Sequence, residues 1–147
     1  MVRMGIIGIG FMGYTHFEGA KALQNGQVSA IATRDEIKLS GDWTGIQGNF
    51  GPRGGQVDLS DVKKYRDYHD LLADPDIDLV DICLPTDLHE KVVLESLKAG
   101  KHTLVEKPLC IDPEVAATLV RTAEKADRLL LVGQVLPFFP EFAFLAE

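Results

Sequence analysis

Short apolar runs alternate with longer amphipathic stretches along nearly the whole chain. Runs of this kind predict strands, and apolar residues that recur at helical spacing predict helices. The predicted strands cover residues 2–7, 28–33, 62–65, 79–84, 102–105 and 129–135. The predicted helices cover residues 12–24, 68–73, 88–99 and 113–126. The last helix has a clear start, because Asp112 can cap it and Pro113 suits its first turn.

The alternation of strands and helices predicts the fold class. Parallel strands joined by right-handed helical crossovers are covered by helices on both faces of the sheet. We therefore expect an α/β protein with a doubly wound, mainly parallel sheet and three αβα layers. This predicted domain covers residues 1–136.

One segment, residues 36–60, breaks the regular pattern. It contains six glycines and the only tryptophan, Trp43. Loops of this length are usually functional or disordered. Both a disordered segment and a lid over a bound ligand stay open, although Trp43 and Phe50 are unusual residues to leave in water.

Composition and charge limit the function. The chain has 147 residues, of which 46% are hydrophobic, and this is the size of one domain with one core. Its formal net charge of -7 excludes a nucleic-acid partner, because such binding normally needs a basic face.

The N-terminus and the cysteines bear on location and metals. Glycines interrupt the first apolar stretch far short of a membrane span, so we expect no signal peptide, no membrane segment and a cytoplasmic protein. Cys83 and Cys110 lack metal-ligand spacing. We expect them to be buried thiols rather than a disulfide, and we predict no metal site.

The sequence GIGFMG, from Gly8 to Gly13, has the spacing of a dinucleotide-binding loop and lies between a predicted strand and a predicted helix. Gly8 permits a tight turn, Gly10 lets the backbone approach a diphosphate, and Gly13 lets the helix pack closely on the strand. The helix that begins near Phe11 and Met12 would offer free amides and a positive dipole end to the phosphates.

The end of the second predicted strand bears on the choice of cofactor. Folds that bind NAD commonly have a carboxylate about 20 residues beyond the last glycine. Here that position is Thr33, and Arg34 follows it. Because a guanidinium suits a 2′-phosphate, NADP is favoured. NAD stays the alternative, since a small shift would bring the Asp35 carboxylate to the ribose.

Two further motifs follow the fourth and fifth predicted strands, at the edge where doubly wound folds bind ligands. They consist of Leu84, Pro85, Thr86 and His89 after the fourth strand and of Glu106, Lys107 and Pro108 after the fifth. Together with the glycine loop, they resemble the N-terminal domain of the glucose-fructose oxidoreductase, inositol dehydrogenase and MocA-like family. The resemblance covers nearly the whole chain, with the motifs in the family's order and spacing.

The resemblance implies a reaction and roles for several residues. Hydride would pass between nicotinamide and a carbinol or carbonyl carbon of a sugar, a polyol or a related compound. Lys107 would reach the oxygen on the reacting carbon, and Glu106 and His89 would help to place the nicotinamide ribose. An ammonium suits this role because it stabilises developing negative charge. A cis bond before Pro108 is also expected, while His16 stands where the family often has a histidine and can equally be a packing residue.

The resemblance further implies a second, α+β domain that binds the substrate. Residues 137–147 would begin the connection to it, and the whole protein would be a homo-oligomer. Four phenylalanines near the end of the chain would pack against something outside it, as expected of a truncated chain: Phe138, Phe139, Phe142 and Phe144. The family often has an arginine near the position where this chain has Pro137. Because that arginine is absent here, the substrate class implied by the family stays open. The alternative function is a non-catalytic module that senses a nucleotide or redox state and reports through this phenylalanine-rich end.

Overall fold

The computed structural model describes residues 1–49, 51 and 53–146, so that Phe50, Pro52 and Glu147 lie outside the described part. Six parallel strands form one sheet in the order β3-β2-β1-β4-β5-β6. The strands are β1 (Val2–Ile7), β2 (Gly26–Ala32), β3 (Lys63–Tyr65), β4 (Leu79–Ile82), β5 (His102–Val105) and β6 (Leu130–Val132). The order reverses between β1 and β4, which defines the doubly wound fold that the sequence predicts.

Helices cover both faces of this sheet. They are α1 (Phe11–Ala20), α2 (Glu36–Leu39), α3 (Tyr68–Ala73), α4 (Thr86–Lys98), α5 (Pro113–Ala126) and α6 (Pro140–Ala146). A short 3-10 helix, Leu136–Phe138, precedes α6. None of the described helices is both long enough and apolar enough to cross a membrane.

Two apolar clusters form the core, one on each face of the sheet. On one face, α3, α4 and α5 pack buried side chains such as Leu71, Val93 and Leu119 against the strands. On the other face, Phe17 of α1 packs near Ile6 and Ile31. Neighbouring residues of a strand face opposite sides of a sheet, which explains why these buried strands are apolar at successive positions.

The described part of segment 36–60 is folded, so the disordered interpretation is wrong for it. Trp43 is fully buried and its ring centroid lies 4.9 Å from that of Phe17. The Trp43 indole N–H donates to the Lys38 carbonyl at 2.8 Å. Ile46 and Leu59 complete the same cluster, so the segment covers the face of the sheet beside α1.

The predicted bounds hold for β1, α3, β5 and α5, and Asp112 caps α5 through the Glu114 N–H at 2.8 Å. Elsewhere the ends are wrong: α1 stops at Ala20, and β2, β3, β4, α4 and β6 differ by a few residues. The prediction missed α2, the 3-10 helix and α6. The final strand is short because the chain turns into the 3-10 helix, which has a proline in its first turn.

Candidate functional site

The glycine loop joins β1 to α1 at the carboxyl edge of the sheet. Gly8 has a φ of +94°, and a Cβ at this position would lie 2.6 Å from the Cys83 carbonyl oxygen. A Cβ at Gly13 would meet the Gly8 carbonyl oxygen, whereas a Cβ at Gly10 would meet nothing within 4 Å. Two glycines therefore allow close packing, and the third leaves open space above the backbone.

The start of α1 suits an anion. Gly10 precedes the helix and supplies no side-chain cap, and no acidic residue lies in the first turn. Amides at an uncapped helix start, together with the helix dipole, attract negative groups. Phe11 and Met12 lie in this first turn and are half-buried.

Of the three residues that follow β2, Thr33 and Asp35 form hydrogen bonds to nearby backbone groups, whereas Arg34 does not hold the local backbone within the described residues. The Thr33 N–H donates to the Tyr65 carbonyl at 3.0 Å, which joins the ends of β2 and β3. Asp35 caps α2, because its carboxylate accepts the Ile37 N–H at 3.0 Å. Arg34 is exposed, and its side chain forms no ion pair within the described ranges.

A cavity of about 750 Å³ opens at this edge between the ends of β1, β2 and β4. Five residues singled out in the sequence line it, namely Gly8, Thr33, Arg34, Asp35 and Leu84. The sequence reasoning missed further polar lining residues: Arg66, Asp67, Tyr68, His69 and Lys91. Arg66 and Asp67 could have been found, because they directly follow β3 and a residue that follows a strand of a parallel sheet lies at the ligand-binding edge. Tyr68, His69 and Lys91 lie on α3 and α4, so their place at the cavity depends on how these helices pack.

The turn after β4 carries Pro85 just before α4 and Thr86 as its first residue. His89, in the first turns of α4, is only 1% exposed. Its Nδ1 and Nε2 atoms each lie 2.8 Å from a backbone carbonyl oxygen, of Pro108 and of Leu84 respectively. The ring thus braces the turns after β4 and β5.

Glu106 and Lys107 follow β5 and point in different directions. Glu106 is buried, and its Oε2 accepts the Lys107 backbone N–H at 3.0 Å. Lys107 is exposed, and its ammonium has no hydrogen bond or ion pair with any described residue. The Lys107-Pro108 peptide bond is cis, as expected.

A polar cluster lies beneath this edge around His16, for which the sequence left a packing role and a family-typical role open. His16 Nδ1 lies 2.8 Å from Asp81 Oδ2, and His16 Nε2 lies 3.2 Å from Glu106 Oε1. The hydrogen bond with Asp81 and the charges of both carboxylates raise the pKa of His16 against the opposing effect of burial. Burial, with the same two charges, raises the pKa of the Cys83 thiol, which stays protonated.

The two cysteines are free thiols. Both cysteines are partly exposed, so the expectation that they are buried is wrong. Cys83 is tied into the polar cluster, with its Sγ 3.4 Å from His16 Nδ1 and 3.6 Å from Asp81 Oδ1.

The fold and the open glycine loop define a dinucleotide-binding Rossmann domain. Residues 2–134 match the model of the family described as "Oxidoreductase family, NAD-binding Rossmann fold", GFO_IDH_MocA. The chain belongs to this family, which is the one that the sequence motifs resemble.

Individual relatives agree with this membership. The chain is 31% identical to the myo-inositol 2-dehydrogenase of Thermotoga maritima over 99% of the chain and 40% of that relative. A probable dehydrogenase from Thermotoga maritima superposes with a TM-score of 0.81 at 30% identity, covering 98% of this chain and 39% of that one.

A third similar protein is a 3-ketoreductase from Actinomadura kijaniata, a variant of which has a crystal structure in complex with TDP-benzene and NADP. Its TM-score is 0.82 at 27% identity, over 99% of this chain and 41% of that one. The chain spans 40% of the length of the Thermotoga maritima dehydrogenase, 38% of an inositol dehydrogenase of Lactiplantibacillus plantarum and 27% of a glycosyl hydrolase family 109 protein of Shewanella baltica.

Proposed function

We propose that this chain is the cofactor-binding part of an NAD(P)-dependent oxidoreductase that acts on a carbinol or carbonyl carbon of a sugar, a polyol or a related compound. The observation that carries the proposal is the open space at Gly10, between two glycines whose positions are closed to any side chain. A bound nicotinamide dinucleotide would supply the hydride acceptor or donor.

The glycine loop would hold the diphosphate. The missing side chain at Gly10 lets an anion approach the backbone, and the uncapped start of α1 supplies the attraction. The cavity lined by Gly8 and Thr33 continues from the loop toward the end of β2 and has room for the adenosine part. Leu84, Pro85 and Thr86 would border the opposite side.

We propose NADP as the preferred cofactor and NAD as the alternative. The Asp35 side chain also lines the cavity, but its Oδ1 is engaged as the cap of α2, where it accepts the Ile37 and Lys38 N–H groups. Arg34 has no ionic partner in the described structure and lines the cavity, so its guanidinium is available to a 2′-phosphate. Arg66, at the same cavity, pairs with Glu36 at 2.6 Å and is less available.

Lys107 would act at the reacting oxygen. Its unpaired ammonium stands at the exposed end of β5, beside the buried Glu106 that fixes its backbone. In oxidation, the Lys107 amine would accept the hydroxyl proton while hydride passes from the carbon to the bound nicotinamide, and the resulting ammonium would stabilise the oxygen of the new carbonyl. In reduction, the same group would polarise the carbonyl and could donate a proton to its oxygen.

Substrate recognition would fall to a region outside this chain. Residues 1–136 would form the dinucleotide-binding domain, and residues 137–147 would begin the connection to a substrate-binding domain. Support comes from the greater length of the relatives, which include a myo-inositol dehydrogenase and a 3-ketoreductase.

Calorimetric titration with NADPH and NADH tests cofactor binding. The Gly10→Ala variant should fold but lose affinity, because its new methyl group fills only the open space of the loop. Gly19→Ala is the matched control, since a Cβ there also meets nothing within 4 Å and Gly19 lies inside α1. Absence of binding by the unmodified chain at millimolar cofactor would contradict the proposal.

A further inference from the structure

His16 connects three elements that surround the proposed cofactor site. It lies on α1, yet its ring reaches Asp81 of β4 on one side and Glu106, directly after β5, on the other. The two ring nitrogens serve one carboxylate each, at 2.8 and 3.2 Å. The ring therefore spans the sheet edge from which Lys107 projects.

The two carboxylates beside the His16 ring are buried, so their stability depends on whether the ring is charged. Asp81 is 1% exposed and Glu106 is 6% exposed, and buried carboxylates require pairing. Glu106 Oε1 is the one buried side-chain oxygen or nitrogen in the described part that lacks a hydrogen-bond partner by geometry, and His16 Nε2 is the group beside it. A neutral imidazole has one N–H and would leave one carboxylate facing a lone pair, whereas the charged ring carries an N–H on both nitrogens and forms an ion pair with Glu106 as well.

The groups around the ring favour the charged form. Asp81 and Glu106 are acidic, and the Cys83 thiol at the end of β4 is neutral. The nearest titratable residues of α1 itself, Tyr14 and Glu18, form no bond to the ring. The pKa of His16 is raised, first by its hydrogen bond to Asp81 and then by the two negative charges.

We propose that His16 is a positioning residue that works as an imidazolium: it ties Asp81 to Glu106 and so fixes the end of β5 that presents Lys107 to the cofactor. The connection continues because the second oxygen of Glu106 accepts the Lys107 backbone N–H at 3.0 Å. This inference rests on the proposed function for the role of Lys107, but the charge of His16 can be measured without any cofactor.

A proton explains the cluster better than a metal ion does. Ligand-type atoms of His16, Asp81 and Cys83 lie within 4.8 Å of one another. However, the 2.8 Å contact between His16 Nδ1 and Asp81 Oδ2 has the length of a charge-assisted hydrogen bond.

Nitrogen NMR of the His16 ring in the cofactor-free protein is the first test. We expect both ring nitrogens to carry protons at neutral pH, with a titration above the ordinary value of about 6.5. Asp81→Asn and Glu106→Gln should each lower the measured pKa of His16. A neutral ring at pH 7, or stoichiometric binding of added Zn²⁺ at the ring, would overturn the inference, and neither readout requires a variant to fold.

NADPH affinity as a function of pH is the second test. His16→Asn keeps an amide near Nδ1 for Asp81 but removes the link to Glu106, whereas His102→Asn keeps the acceptor for the Leu129 N–H at the opposite edge. As the pH rises and His16 deprotonates, wild type and His102→Asn should lose NADPH affinity to the same extent. The loss should be roughly tenfold for each unit by which cofactor binding raises the pKa of His16. His16→Asn should bind more weakly at neutral pH and lack that pH dependence.

The 2′-phosphate of the cofactor itself titrates at about pH 6. Because this titration affects wild type and variants equally, the comparison between them removes its contribution to the pH profile of affinity. Wild-type affinity and an unchanged pH profile in His16→Asn would overturn the positioning role. If the wild type binds no NADPH at any pH, the proposed function fails, while the NMR result still decides the charge of His16.

Discussion

The carbonyl oxygen of Gly8 occupies the space that a side chain at Gly13 would need. This contact brings α1 close to the end of β1, so Gly13→Ala forces backbone to move and should destabilise the fold by about 1–3 kcal/mol. Urea unfolding measures the loss. Gly10→Ala should keep wild-type stability, because its methyl group meets nothing within 4 Å. Equal stability of the two variants would contradict the assigned packing.

Replacement of Arg34 tests the cofactor preference. If its guanidinium binds the 2′-phosphate, Arg34→Ala should lose about 1.5–3 kcal/mol of NADPH affinity, roughly a 10- to 100-fold rise in Kd, with little change for NADH. Asp35→Ser is the control, since serine also caps helices well. A large loss of NADH affinity in Asp35→Ser would instead indicate that Asp35 holds a ribose and that NAD is the cofactor.

Replacement of Lys107 separates catalysis from cofactor binding. In the whole protein, Lys107→Ala should lower the rate of hydride transfer by about 10²–10⁴-fold, as expected for loss of an acid-base and charge-stabilising group. The Kd for the cofactor should change little, because His16 and Glu106 still fix the backbone at the end of β5 in this variant. Lys98→Ala, at the far end of α4, is the control. An unchanged rate would contradict the proposed role of Lys107, whereas absence of turnover of any sugar or polyol by the wild-type whole protein would favour the non-catalytic sensor.

Acid stability should depend on an ion pair at the opposite edge of the sheet. Arg3 donates to Asp78 from its side chain at 2.8 Å and from its backbone N–H at 2.8 Å, and these bonds lower the pKa of Asp78 to about 2. A lowered pKa stabilises the fold above the unfolded value of about 3.9, and this stability is lost as the pH falls toward the folded pKa.

Urea unfolding between pH 5 and pH 2 measures this contribution. Asp78→Asn should be less stable than wild type at pH 5, and the difference should shrink toward pH 2. Asp61→Asn changes an exposed carboxylate and should follow the wild-type curve. A constant difference across the range would show that the charge of Asp78 has no part in it.

The sequence predicts much of this fold because its local signals agree with one another. The spacing of Gly8, Gly10 and Gly13 between a strand and a helix indicates the turn that the structure contains. Asp112 before Pro113 marks the start of α5 to the residue. These signals are local in the chain, so they can be recognised without knowledge of the packing.

The remainder depends on contacts between distant segments. Trp43 is buried because Phe17 lies against it, and no local pattern indicates that a glycine-rich segment will fold there. His16, Asp81 and Glu106 come from separate elements, so their cluster appears only once α1 packs against the ends of the adjacent strands β4 and β5.

Amide chemical shifts of the labelled chain during NADPH titration test the dinucleotide site most directly. If the glycine loop holds the diphosphate, the largest changes should fall at Gly10 and Met12, at Arg34, and near Lys107, with little change at the opposite edge around Asp78. Changes that leave Gly10 and Met12 unaffected while the cofactor binds elsewhere would contradict the proposed site.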